Sequence, residues 1–163
     1  MKVSAAKFTL TGQDILEIIN DYVKINDLKI DSVDIDDIFT VRGTYKVKLV
    51  VPFQAKIGIG NIYNDIINLK IFSLHVSKIG MLSSVKNVFL KKLLNDYSKY
   101  GIELNKDTLT IDLNLIYKLI PYFNLKIKKI TVVKNVLEIY TNNIIYDPNK
   151  STIDFKKKSK NLS

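Results

Sequence analysis

The sequence predicts an α+β domain: a strongly curved antiparallel sheet wrapped around a long helix, with a second helix near the N-terminus. Two observations predict it. Residues 39–59 alternate apolar and polar almost without error, and segments 12–24 and 83–100 carry apolar stripes at helical spacing. In the alternating run, Phe39, Val41, Tyr45, Val47, Leu49, Val51, Phe53, Ala55, Ile57 and Ile59 all take odd positions. Period-two alternation places them on one face of a sheet. Strands usually run about 5–6 residues, so the run is either one strand that bends or two joined by a kink at Val51-Pro52-Phe53. Either way a long apolar face needs a long cover. The 83–100 helix, roughly 27 Å long at 1.5 Å per residue, supplies one.

Taken in order, Phe8 and Leu10 read as a short extended lead-in. Thr11 is placed as the N-cap of the first helix, with Asp14 in the capping-box position. Ile15, Ile18, Ile19 and Tyr22 share one face of that helix. Residues 28–35 read as a strand whose apolar parity slips from Leu28 and Ile30 to Val33 and Ile35, which predicts a bulge near Asp31-Ser32. A turn is expected at Gly60-Asn61. A further strand follows, its parity slipping between Ile71 and Phe72. Ser83 caps the long helix, whose stripe contains Val85, Val88, Phe89 and Leu93, and Gly101 stands where a C′ glycine ends it. Asn105-Lys106-Asp107 is a turn into the strand Leu109, Ile111, Leu113. Residues 114–120 form a short helix closed by Pro121. Lys134-Asn135 joins a last hairpin. Residues 1–147 are expected to make one domain, and 148–163 a basic disordered tail.

The chain has 163 residues, 47% hydrophobic and 25% charged, with a net charge of +9 and no cysteine. That composition is ordinary for a globular domain and excludes disulfide and thiolate chemistry. Residues 1–10 lack the apolar core of a signal peptide, and no stretch reaches the ~18 apolar residues of a membrane span. The expected location is cytoplasmic, with peripheral membrane contact through Lys156, Lys157, Lys158 and Lys160.

Catalytic patterns fail on inspection. Ser83-Ser84-Val85-Lys86 matches S-x-x-K, but the S-D-N and K-T-G companions are missing. Gly58-Ile59-Gly60 has Tyr63 where the dinucleotide fingerprint needs a third glycine. Asp31, Asp34, Asp36 and Asp37 break EF-hand spacing and read as a solvated strand edge. His75, the only histidine, has no nucleophile or second ligand to work with. The sequence therefore predicts no enzyme, no cofactor and no metal.

A resemblance adds to this reading. Leu10-Thr11-Gly12-Gln13-Asp14-Ile15-Leu16, Val41-Arg42-Gly43-Thr44 and Val50-Val51-Pro52-Phe53-Gln54-Ala55 look like segments of the LmeA-like bacterial lipid-binding family. So do the helix near 85–97 and the run from Gly101 to Leu113. The resemblance implies the fold of the tubular lipid-binding (TULIP-like) superfamily and non-catalytic binding or transfer of a phospholipid or other acyl lipid. The candidate lining residues are Val41, Tyr45, Val47, Leu49, Val51, Phe53, Leu69 and Ile71 from strands, and Val85, Phe89 and Leu93 from the long helix. Two other readings stand beside it. One is a structural or protein-interaction module with a closed core. The other is a nucleic-acid binder using the basic tail, for which no recognition motif is present.

Overall fold

The computed structural model describes residues 1–22, 26–46, 49–76, 91, 98, 101–119 and 122–150. The helix expected over 83–100 and the lysines at 156–160 fall outside the described residues. Those described form nine strands and two helices. The chain runs β1 (Lys2–Leu10), α1 (Gly12–Tyr22), β2 (Leu28–Ile35), β3 (Phe39–Lys46), β4 (Val50–Tyr63) and β5 (Ile66–Val76). After that come β6 (Ile102–Asn105), β7 (Thr108–Asp112), α2 (Leu113–Leu119), β8 (Phe123–Val133) and β9 (Val136–Tyr146). They build a three-stranded sheet, β1-β9-β8, and a six-stranded sheet, β2-β3-β4-β5-β7-β6. Every pairing among them is antiparallel.

This corrects the expected architecture. The described residues form a mainly β structure of two antiparallel sheets with two short helices, not a curved sheet around a long helix. The cause lies in the alternating run. It is neither one bent strand nor two strands kinked at Pro52; it is the β3–β4 hairpin, with Lys46 paired to Val50 and Phe39 to Ile57. Three residues separate Lys46 from Val50, so every partner of an odd residue is also odd. The alternation therefore passes through the reversal with its parity intact. Folding back halves the length of face to be covered. Part of the cover comes from the other sheet: Ile130 and Val132 of β8 and Leu137 and Ile139 of β9 pack with Val33, Ile35, Phe39 and Ile57. The short lead-in expected at Phe8 and Leu10 is the end of a full strand, which pairs along β9 from Lys2↔Ile145 to Leu10↔Leu137.

Local chemistry accounts for the other elements. The Thr11 backbone N–H and hydroxyl both donate to Asp14 Oδ2 at 2.7 Å, and the Asp14 N–H donates to Thr11 Oγ1 at 3.2 Å. This is the reciprocal cap foreseen for α1. Ile15, Leu16 and Ile19 then pack on the first core cluster. The β2 bulge falls at Asp31, between the pairs Ile30↔Gly43 and Ser32↔Arg42. The β5 bulge falls at Phe72, between Lys56↔Ser73 and Ile57↔Ile71. The turn expected at Gly60-Asn61 lies further on. β4 continues to Tyr63, and Asn64 (φ 49°) and Asp65 (φ 60°) make the reversal. Both φ values are positive, the backbone of a type I′ hairpin. Lys134 (φ 47°) and Asn135 (φ 66°) repeat it between β8 and β9. Gly101 has φ 75°, and its N–H donates to the Ser98 carbonyl at 3.1 Å, as a C′ glycine would. Beyond β9, Lys150 Nζ donates to the carbonyls of Tyr117 and Phe123. These bonds tie Lys150 to the start of β8 and to α2.

Candidate functional site

Register makes the inner face of the six-stranded sheet continuous. Directly paired residues share a face, and the pairs line up in rows. One row is Ile35, Phe39, Ile57 and Ile71; another is Val33, Val41, Ala55 and Leu74; a third is Ile59, Leu69, Leu109 and Leu104. The rows span five inter-strand steps, about 24 Å at ~4.8 Å each. The face is apolar throughout, but its burial is uneven. It divides into three clusters centred on Phe39, on Tyr45 with Phe53, and on Ile67 with Leu113 and Tyr117. Among the described residues no side chain falls below 2% exposure, and Ile57, Ile59, Leu69, Ile71, Leu74 and Val76 are half-buried.

The candidate lining residues distribute across this face. Val41 belongs to the first cluster, Tyr45, Phe53 and Ile71 to the second, and Leu69 to the third. Val51 pairs with Tyr45 and is half-buried. Leu49 does not line the interior. It is 65% exposed beside the reversal between β3 and β4, where alternation no longer decides which way a side chain faces. Val47, Val85, Phe89 and Leu93, and Lys156, Lys157, Lys158 and Lys160, lie outside the described residues. Sequence reasoning passed over Leu74 and Val76 as inner residues because the Phe72 bulge reverses their parity. Adding one to every position after a bulge recovers them.

The opposite face of this sheet is polar. Arg42 Nε donates to Gln54 Oε1 at 2.9 Å, and Arg42 also pairs with Asp34. Lys29 pairs with Asp31 at 3.1 Å, so both β2 aspartates face a cation, as on a solvated edge. His75 is exposed and paired in register with Gln54. Among the described residues no three His, Asp or Glu side chains converge as a metal set. Also among them, no helix is long and apolar enough to cross a membrane.

Two polar networks fasten the sheets. Tyr117 donates to Asp65 Oδ1 at 3.3 Å and accepts the Ile127 N–H at 2.9 Å, while Lys126 reaches Asp65 Oδ2 at 3.0 Å. Burial is the main force pushing the Tyr117 phenol above its ordinary value, so it keeps its proton and works as a clasp between α2, the β4–β5 turn and β8. On the three-stranded sheet, Tyr140 donates to Glu138 Oε2 at 2.6 Å and Lys7 to Oε1 at 2.9 Å. These bonds, the tyrosine's first, hold the Glu138 carboxyl below its usual value. A carboxylate whose pKa is lowered on folding stabilises the fold above its unfolded pKa, and the contribution is lost as pH falls through the folded value. Urea unfolding of Glu138→Gln should therefore differ most from wild type near neutrality and converge with it once the pH has fallen below the range in which carboxylates titrate. Parallel curves at all pH values would show that the network contributes nothing.

A cleft of about 890 Å³ opens between the two sheets. It is lined by Asp37, residues 59–63 of β4 and residues 128–132 of β8.

No family model, curated protein or solved structure matches the chain. The lipid-binding resemblance rests on the sequence alone.

Proposed function

We propose that the protein is a non-catalytic binder of a phospholipid or other acyl lipid, taken up against the inner face of the six-stranded sheet. The observation that carries this reading is the half-burial of Ile57, Ile71, Leu74 and Val76 on an apolar face shared by all six strands. Filled interiors are close-packed and leave large aliphatic side chains mostly inaccessible. These residues keep surface to offer, and each methylene buried against them is worth about 0.8 kcal/mol. Lys156, Lys157, Lys158 and Lys160 supply attachment to an anionic membrane surface, at ~1 kcal/mol per lysine.

The test is organic extraction and mass spectrometry of the purified full chain, followed by transfer from phosphatidylglycerol vesicles. An acyl lipid should co-purify, and Ile71→Phe, which fills the face without adding charge, should shift the bound chains toward shorter ones. Removing the residues after Lys150 should weaken only the salt-sensitive part of vesicle binding. A chain that carries no lipid and accepts none from vesicles overturns the proposal.

A further inference from the structure

β4 outlasts its partner. Its pairing with β3 ends at Phe39↔Ile57, while its pairing with β5 continues to Tyr63↔Ile66. From Gly58 to Tyr63 the edge turned away from β5 is hydrogen-bonded to no strand among the described residues, although β8 packs close to it. β8 is likewise the outer strand of its sheet. Apart from the Ile127 N–H, which Tyr117 accepts, and the Phe123 carbonyl, which Lys150 Nζ reaches, its far edge makes no backbone bond to a described residue. The two edges border the same cleft. A bare strand edge offers a row of N–H and C=O groups to any extended chain. From Lys128 to Val132 that row is about 17 Å long, at ~3.4 Å per residue.

The side chains narrow the choice of occupant. Ile59, Ile62, Ile130 and Val132 give the cleft an apolar side. Lys128 and Lys129 are exposed, and Lys129 lies over the Tyr140 ring at 5.8 Å. Asp37 is the only acid among the lining residues. A second copy of β8 pairing antiparallel with the first would bring these lysines together, which guards the edge against self-association. An acidic strand gains from the same charges. We propose that this cleft binds an extended peptide segment of a partner protein by strand addition. The segment alternates acidic residues, which meet Lys128 and Lys129, with apolar residues, which meet Ile62 and Ile130.

The probe is a fluorescein-labelled, end-capped octapeptide of alternating Glu and Val, titrated into the full chain by fluorescence anisotropy. It should bind, and an alternating Lys and Val peptide should not. Methylating alternate backbone nitrogens of the probe, which leaves its charge unchanged, should weaken binding about tenfold or more. Lys128→Glu, an exposed substitution that leaves the fold intact, should weaken it about tenfold. The proposal is overturned by no binding, by equal binding of methylated and unmethylated peptides, or by indifference to Lys128→Glu. It is also overturned if an oligothymidylate binds in place of the acidic peptide, since the lysines then serve phosphate.

Discussion

Phe39→Ala is expected to cost about 3–5 kcal/mol, the range for truncating a buried phenylalanine. A domain of this size has in all about 5–15 kcal/mol, so the variant should be partly unfolded at room temperature or lose most of its urea resistance. The reason is position. Phe39 is 9% exposed and belongs to the cluster where α1, β2, β3 and β4 meet β8 and β9. Truncating it empties the seam between the two sheets, where strands held by their own ladders cannot close in. Phe8, 47% exposed on β1, provides the comparison. Phe8→Ala should change stability by less than about 1 kcal/mol. Equal losses in the two variants would mean that the sheets do not share this core.

Much of the local structure was legible in the residues. The α1 cap, the bulges at Asp31 and Phe72, the turns at Lys106 and Lys134-Asn135 and the hairpin after β8 all carry local signals, such as an N-cap threonine, a parity slip or an Asn. The architecture was not, for a definite reason. Between Lys46 and Val50 no Gly, Asn, Asp or Pro marks a turn, and an odd spacer preserves parity, so periodicity cannot tell a hairpin from a long strand. Mistaking one for the other doubles the apparent length of the apolar face and calls for a long helix to cover it. The β1–β9 pairing was hidden differently. It joins the first and last strands, more than a hundred residues apart, and nothing local in residues 2–10 names that partner. Of the candidate site, alternation identified the inner residues of β3 and β4 but not the cleft, because a cleft depends on where one strand stops beside another.

Gly43→Ala should also be strongly damaging, at about 3 kcal/mol. On the inner face a glycine allows a close approach, and Gly43 is paired there with Ile30 and Phe53. What approaches is the sheet itself. A Cβ at this position would lie 2.2 Å from the Lys29 carbonyl oxygen and 3.0 Å from the Phe53 ring, which sits across from Gly43 in register. Two opposing effects decide the sign. Alanine restricts the unfolded chain and would stabilise by about 0.4–1 kcal/mol if the site could accept it. The ring can rotate away at small cost, but the carbonyl belongs to the backbone of β2, next to the Asp31 bulge, and moving it disturbs the β2–β3 ladder. The backbone contact should therefore outweigh the entropy gain. A double variant separates the two neighbours. If the carbonyl is the obstacle, Gly43→Ala should destabilise as much with Phe53→Leu as without it. If the ring is the obstacle, the double variant should recover most of the loss. Urea midpoints of the four proteins would read the difference directly, and a Gly43→Ala protein as stable as wild type would show that β2 can shift its bulge to make room.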